Sequence, residues 1–330
     1  MKFGTIDIND LKLGSTQVNK VMLGTNLVWE FATPPPYEGY YVFASSNSEI
    51  VRKYTANDMT MIDSATNYGG VVYSIIADED YIYVGGATTR TVKKYLKSDM
   101  SYVGSTASYG TDIYTIDKDD TYLYVSGLGG TIKKYLKSDL SYVGTTATYG
   151  GNVWSIKVDD IYIYAGGASS YTIKKYLKSD LSLVGTSSTY GITIYALEID
   201  STSIYIGGGS TLSGSRTIRQ YLKSDLSIVG NTASYGRMVR DIKIDDTHIY
   251  AIGYYTDGTS GNNIRKYLKS NLSTVYTSGN FTNYYSIGID DDNIYVKSSS
   301  FIQQISKDFS SSRYGDFPIT VNIYSIATSL

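Results

Sequence analysis

Between residues 40 and 329 the apolar positions fall into short runs rich in β-branched and aromatic residues, broken by Gly, Asp, Asn and Ser. Runs of this kind separated by turn residues predict strands, and no stretch of useful length carries the 3.6-residue period of a helix. Four types of run follow one another in fixed order, as in WSIKV (154–158), then IYIYAG, TIKKYL and LSLVG. The pattern predicts an all-β protein built from four-stranded units.

The units repeat. TIKKYLKSDLSYVG (131–144) recurs as TVKKYLKSDMSYVG (91–104), TIKKYLKSDLSLVG (172–185), TIRQYLKSDLSIVG (217–230) and NIRKYLKSNLSTVY (263–276). Degenerate copies are IVRKYTANDMTMI (50–62) and FIQQISKDFSSS (301–312). Their anchors, Tyr54, Tyr95, Tyr135, Tyr176, Tyr221, Tyr267 and Ile305, lie 38 to 46 residues apart, the period of a four-stranded blade, and make seven copies. The first copy opens at Tyr40 on a second-type strand, YYVFAS, and lacks the first type. Near the C terminus VNIYSIATS (321–329) matches VVYSIIAD (71–78), and Tyr324 stands 19 residues after Ile305, as Tyr73 does after Tyr54. The last strand is expected to complete the first sheet, closing a ring by backbone pairing in one shared blade.

The motif I-x-x-D-D-x-x-I-Y-V-G-G, as in IKVDDIYIYAGG (156–167), resembles the repeats of seven-bladed β-propellers over residues 40–329. The Gly-His and Trp-Asp signatures of WD40 repeats and the Asp boxes of sialidase-like propellers are absent. Length varies almost only between the second and third strands, where GGGSTLSGSRT (207–217) and GYYTDGTSGNN (253–263) are the largest insertions. On a propeller these loops share a face with the links between blades, while the Asp-Asp and Lys-Ser-Asp turns form a uniform opposite face.

Loops displayed by a rigid scaffold carry specificity, so a ligand-binding surface is expected on the insert-bearing face, with Arg216, Arg240, Tyr254, Tyr255, Asp257 and Asn262 as its candidates. Neutral drift of tolerant loops is the alternative. Arg240 is singled out because it stands near the channel mouth, where Tyr73, Tyr114, Trp154, Tyr195, Tyr285 and Tyr324 set the rule. A second series, Tyr68, Tyr109, Tyr149, Tyr190, Tyr235 and Phe281, falls in the links between blades. Residues repeated in every blade serve what every blade shares, so both aromatic series read as inter-blade packing, with sugar stacking the alternative.

Composition narrows the chemistry. The 330 residues include 36 Tyr and 32 Gly but no Cys and one His, with a net charge of −2. Thiolate chemistry, disulfides and multi-His metal sites are thereby excluded. His248 has no accompanying nucleophile motif and is read as structural. The Asp-Asp turns lack the ligand density of a calcium loop, and no pair of carboxylates stands out for glycoside hydrolysis. Neither metal nor cofactor is expected, and the protein is expected not to be an enzyme; a glycan-active enzyme using Arg240, His248 and Asp257 is the alternative. There is no basic block for nucleic acid, no apolar run long enough for membrane insertion, and no secretory h-region at Met1.

Residues 1–33 stand outside the repeat as a small N-terminal β module, followed by a Pro-rich linker at 34–39 and the propeller at 40–330. The module carries an echo, LGSTQV (13–18) and LGTNLV (23–28), ending in Trp29. Too short to stand alone, it is expected to dock on a partner or self-associate. The string LKLGSTQVNKVMLGTNLVWE (11–30) resembles N-terminal segments of virion proteins of tailed bacteriophages, particularly tail-tip and fibre proteins. The resemblance implies attachment to other virion proteins through Leu13, Val18, Leu23, Val28 and Trp29, location in the virion, and outward display of the propeller toward a host-surface glycan or protein. A structural decoration is the alternative within that class, and a homo-oligomer is compatible with it.

Overall fold

The computed structural model describes residues 40–45, 49–65, 68–209, 217–236, 238–254, 264–278, 284–298, 301–315 and 326–329, with four short strands between residues 12 and 30. The chain divides into two compact units, Met1–Gly39 and Tyr40–Leu330. In the first, Leu13 pairs with Thr16 and Leu23 with Asn26 in two antiparallel ladders. Val18 lies outside the described residues.

The second unit is a seven-bladed β-propeller of four-stranded antiparallel blades. Six blades use consecutive strands, as in Val153–Val158, Tyr162–Gly167, Lys174–Leu177 and Leu183–Thr186. The first blade takes Ile326–Ser329 as its inner strand beside Tyr41–Ser45, with Ile326 opposite Ala44 and Ser329 opposite Tyr41. Each inner strand packs on the next, and Ile326–Ser329 lies between Tyr284–Ile289 and Val72–Ala77, so the ring is closed. Tyr324 itself lies outside the described residues. The closing pair offsets a loop-closure entropy of about 5 kcal/mol for some 280 residues.

No blade owns a core. Buried clusters straddle blade boundaries: Tyr83 and Val92 of the second blade pack with Ile113, Ile116, Leu123 and Tyr135 of the third. The repeated KSDL and VG motifs are two sides of one joint. Leu181 and Leu226 adopt positive φ, 63° and 60°, yet are buried. The Cδ1 of Leu181 lies 2.9 Å from where a Cβ on Gly144 of the preceding blade would stand, and Leu226 faces Gly185 likewise at 3.3 Å. Left-handed backbone costs about 1–2 kcal/mol, whereas burying a leucine gains roughly 1.5–3 kcal/mol, so the strained turn is retained.

On the uniform face the Asp that opens each turn between inner and second strands closes its own loop. Asp159 Oδ1 accepts the backbone N–H of Ile161 and Tyr162, and Oδ2 accepts Tyr164 Oη–H at 3.0 Å. The same carboxylate meets Lys223 of the next blade at 2.6 Å, and that lysine also donates to the Asp200 carbonyl of its own blade. The pattern recurs at Asp78–Lys137, Asp119–Lys178, Asp200–Lys269 and Asp245–Lys307. A second lysine of the motif reaches across the same boundary: Lys94 lies 3.8 Å above the Tyr81 ring and donates to the Lys137 carbonyl at 2.8 Å.

Two expectations follow from these joints. Deleting residues 320–330 leaves Tyr41–Ser45 without its inner partner and should give an aggregating or molten product; an unchanged melting temperature for the truncated chain would refute ring locking by this strand. For Asp200, burial alone would raise the carboxyl pKa, but Lys269 and the turn N–H groups overcome it and bring the value to about 2. A folded pKa below the unfolded value of about 3.9 means stability present above pH 4 and lost as pH falls through 2. Lys269→Met should cost about 1 kcal/mol at pH 7, the scale of a solvent-screened pair, and should lessen the acid loss in thermal melts between pH 5 and 2.

Candidate functional site

A glycine near the end of the second strand in the second to sixth blades shapes the axis of the ring, and in the second, fourth and fifth blades another glycine precedes it. A Cβ on Gly86 would sit 1.9 Å from the Val71 carbonyl oxygen, and one on Gly167 2.0 Å from that of Asn152. Only glycine lets the inner strand come this close. The preceding glycine makes room for the next blade: a Cβ on Gly85 would stand 2.7 Å from Ile116 and on Gly207 2.4 Å from Val239. Opposite the end of the second strand, the inner strands of the second to seventh blades carry a β-bulge, as between Val72 and Ser74, Val153 and Ser155, or Val239 and Asp241. The residue inside the bulge is Tyr73, Tyr114, Trp154, Tyr195, Arg240 or Tyr285 in the second to seventh blades. Bulges re-aim side chains, and here they turn all six toward the axis, where each is half-buried.

These residues form a collar. Tyr73 meets Tyr114 edge-on at 5.4 Å, Tyr114 stacks on Trp154 at 4.2 Å with 3° between planes, and Trp154 meets Tyr195 at 5.4 Å and 62°. The Arg240 guanidinium lies 5.8 Å from the ring centres of both Tyr195 and Tyr285. The Trp154 indole N–H is buried without a hydrogen-bond partner. The expectation of inter-blade packing holds for these rings, which touch from blade to blade, but they also line a cavity of about 190 Å³. The link series serves packing directly: Tyr68, Tyr109, Tyr149 and Tyr190 are buried and donate to the carbonyls of Thr91, Thr131, Thr172 and Thr217 in the next blade. Phe281 lies outside the described residues.

Below the collar the inner strands are tied by polar side chains. Ser74 and Thr115 accept the N–H of Ile116 and Ile156 of the next blade, and Asp241 accepts that of Ile287 at 3.0 Å. Three residues past the collar, Asp117, Lys157, Glu198 and Lys243 stand where the second blade has Ile76. Glu198 takes both ammonium groups on one oxygen, Lys157 at 3.1 Å and Lys243 at 2.5 Å. Burial would raise the Glu198 carboxyl, but the two lysines hold it below its ordinary value. Burial would lower Lys157, but Glu198 and Asp117 hold it up. Asp117, without such a contact, is pushed up by burial, although it accepts the Val158 N–H at 2.8 Å. Sequence inspection did not find this layer; its signal is a charge at an inner-strand position where other blades have Ile76, Gly288 or Ala327.

Both large insertions spring from beside Arg240. Met238, two residues before it, is bridged on one side to Gly209, where the fifth-blade insertion begins, and pairs on the other with Tyr254, where the sixth-blade insertion begins. Tyr254 ends the strand His248–Tyr254. Its side chain lies outside the described residues, as do Arg216, Tyr255, Asp257 and Asn262. His248 is at the other end of its blade: its backbone N–H caps the Asp245 turn and its ring contacts Thr247. Five residues of extended strand, roughly 16 Å, separate its turn from Arg240, so these two do not form one catalytic group. Burial and the neighbouring Lys266 lower the His248 pKa, in keeping with a structural role.

No protein-family model matches the chain, and no curated protein matches it. Solved structures do. The computationally designed Ika8 protein superposes with a TM-score of 0.67 at 12% identity, covering 86% of this chain and 85% of that one. The WD40 β-propeller domain of Doa1 superposes at 0.63 with 17% identity, covering 76% and 84%. At such identities the likeness shows the propeller fold alone, reached here without the WD40 signatures.

Proposed function

We propose that this protein is a non-enzymatic binding protein of a bacteriophage particle, holding a host-surface component, a glycan, at the mouth of its central channel. The observation that carries the binding role is the convergence at Met238–Arg240 of an aromatic collar, the one charge that interrupts it, and the roots of both large insertions. Flat aromatic rings present contact area at low conformational cost and suit the apolar face of a sugar. The cavity is small beside the 300–1,000 Å³ of sites for drug-sized ligands, so it suits one terminal group while the rest of the ligand spreads over the loops.

The virion assignment rests on the likeness of residues 11–30 to N-terminal segments of tail proteins. In that arrangement the module bearing Leu13, Val18, Leu23, Val28 and Trp29 joins the particle and the propeller faces the host. The same arrangement would serve a decoration protein, but a spacer needs no repeat-breaking arginine at its axis.

The double variant Tyr254→Ala/Tyr255→Ala should reduce adsorption of the purified protein to whole host cells at least fivefold while leaving its thermal melt unchanged. Wild-type protein should release no reducing sugar from those cells. Undiminished adsorption would remove the insert-bearing face from the site, and sugar release would make the protein an enzyme. Deleting residues 1–36 should abolish capture by virion proteins and spare adsorption to cells.

A further inference from the structure

The collar has one feature that packing does not explain. Arg240 replaces an aromatic residue, yet among the described residues its guanidinium has no hydrogen bond and no carboxylate within ion-pair distance. Other arginines of the repeats are engaged: Arg90 with Asp112, Arg219 with Asn231 and the Thr189 carbonyl, Arg265 with the Ser234 carbonyl. Lys157 and Lys243, in the same cavity, share Glu198. Arg240 instead stands between two tyrosine rings near the 6 Å limit of a useful cation–π contact, which orients the planar fork without neutralising it. A half-buried charge lacking a counter-ion is a group built to meet one.

The wall around it has the same sign. The cavity is lined by three cations, Arg240, Lys157 and Lys243, against two carboxylates, Glu198 and Asp241. Both carboxylates are already engaged: Glu198 holds the lysines, and Asp241 accepts the N–H of Ile242 and Ile287 and the hydroxyl of Ser286. In a chain whose net charge is −2, the channel mouth thus offers a ligand a cation and, among the described residues, no free carboxylate. On the other side of Tyr195 from Arg240, Trp154 and the Tyr114 stacked on it extend the collar as an apolar wall of the same cavity.

We propose that the channel mouth binds the acidic terminal residue of a saccharide, with its carboxylate paired to the Arg240 guanidinium and an apolar ring face on the Tyr114–Trp154–Tyr195 side of the collar. This rests on the glycan-binding role above and adds the ligand class and the residue that selects it. A guanidinium fork matches a carboxylate in a way an ammonium does not, so arginine at this position gives discrimination between acidic and neutral sugars.

The test is calorimetric titration of the full chain with methyl β-D-glucuronide and methyl β-D-glucoside. The glucuronide should bind at least tenfold more tightly, and the preference should shrink in high salt. Arg240→Tyr restores the residue of neighbouring blades and should keep the wild-type melting temperature while reducing the preference to less than twofold; Arg240→Lys, which keeps charge and stem, should retain part of it. Equal affinity for the two glycosides, a preference that survives Arg240→Tyr, or no binding of either would overturn the proposal. Adsorption to host cells, measured in parallel, separates the two levels: cells bound by a protein with no acid preference would sink the acidic ligand and leave the glycan-binding role standing.

Discussion

Every blade of this ring depends on surfaces it does not own. A four-stranded sheet exposes two apolar faces, and here both are buried only against neighbouring blades, in clusters that cross each boundary. An open stack would leave two faces wet. Pairing Ile326–Ser329 with Tyr41–Ser45 removes both ends at once, and everything at the axis presupposes it. The collar, the shared Glu198 and the polar ties between inner strands are contacts among residues from different blades, held in place by a ring with no free end.

Much of the fold was legible in the sequence because the repeat states its own joints. Strand type, blade number and the displaced first strand follow from the spacing of the tyrosine anchors and from the match of 321–329 to 71–78. The leucine of KSDL and the glycine of VG could be counted as a motif but not understood from one blade, since each fits its counterpart in the next. The Asp turns could be placed on one uniform face from the sequence, whereas the lysine that reaches them comes from the neighbouring blade about 60 residues later.

The site was legible where it breaks the repeat and hidden where it obeys it. Arg240 stood out because six equivalent positions carry Tyr or Trp. The aromatic residues themselves read as packing, and they do pack; only the bulge opposite the end of the second strand shows that they also face the axis. Asp117, Lys157, Glu198 and Lys243 escaped notice because a lone charge in a short strand looks like a solvent-facing position, and only the ring brings four of them to one level. Ion-pair geometry there has a physical consequence: Glu198 stays charged beside two ammonium groups, while Asp117, lacking that contact, is pushed toward its protonated form.

The displaced inner strand also bears on biosynthesis. A ribosome delivers Tyr41–Ser45 roughly 280 residues before the segment that will cover its inner edge, and at 5–20 residues per second that interval is on the order of 15–60 s. Throughout it the nascent sheet presents an unpaired edge, the kind of surface that recruits foreign strands. Isolated blades gain little from docking early, so the toroid is committed only once the final strand of the ring arrives, and maturation of this molecule is a late, all-or-none event in the life of the polypeptide.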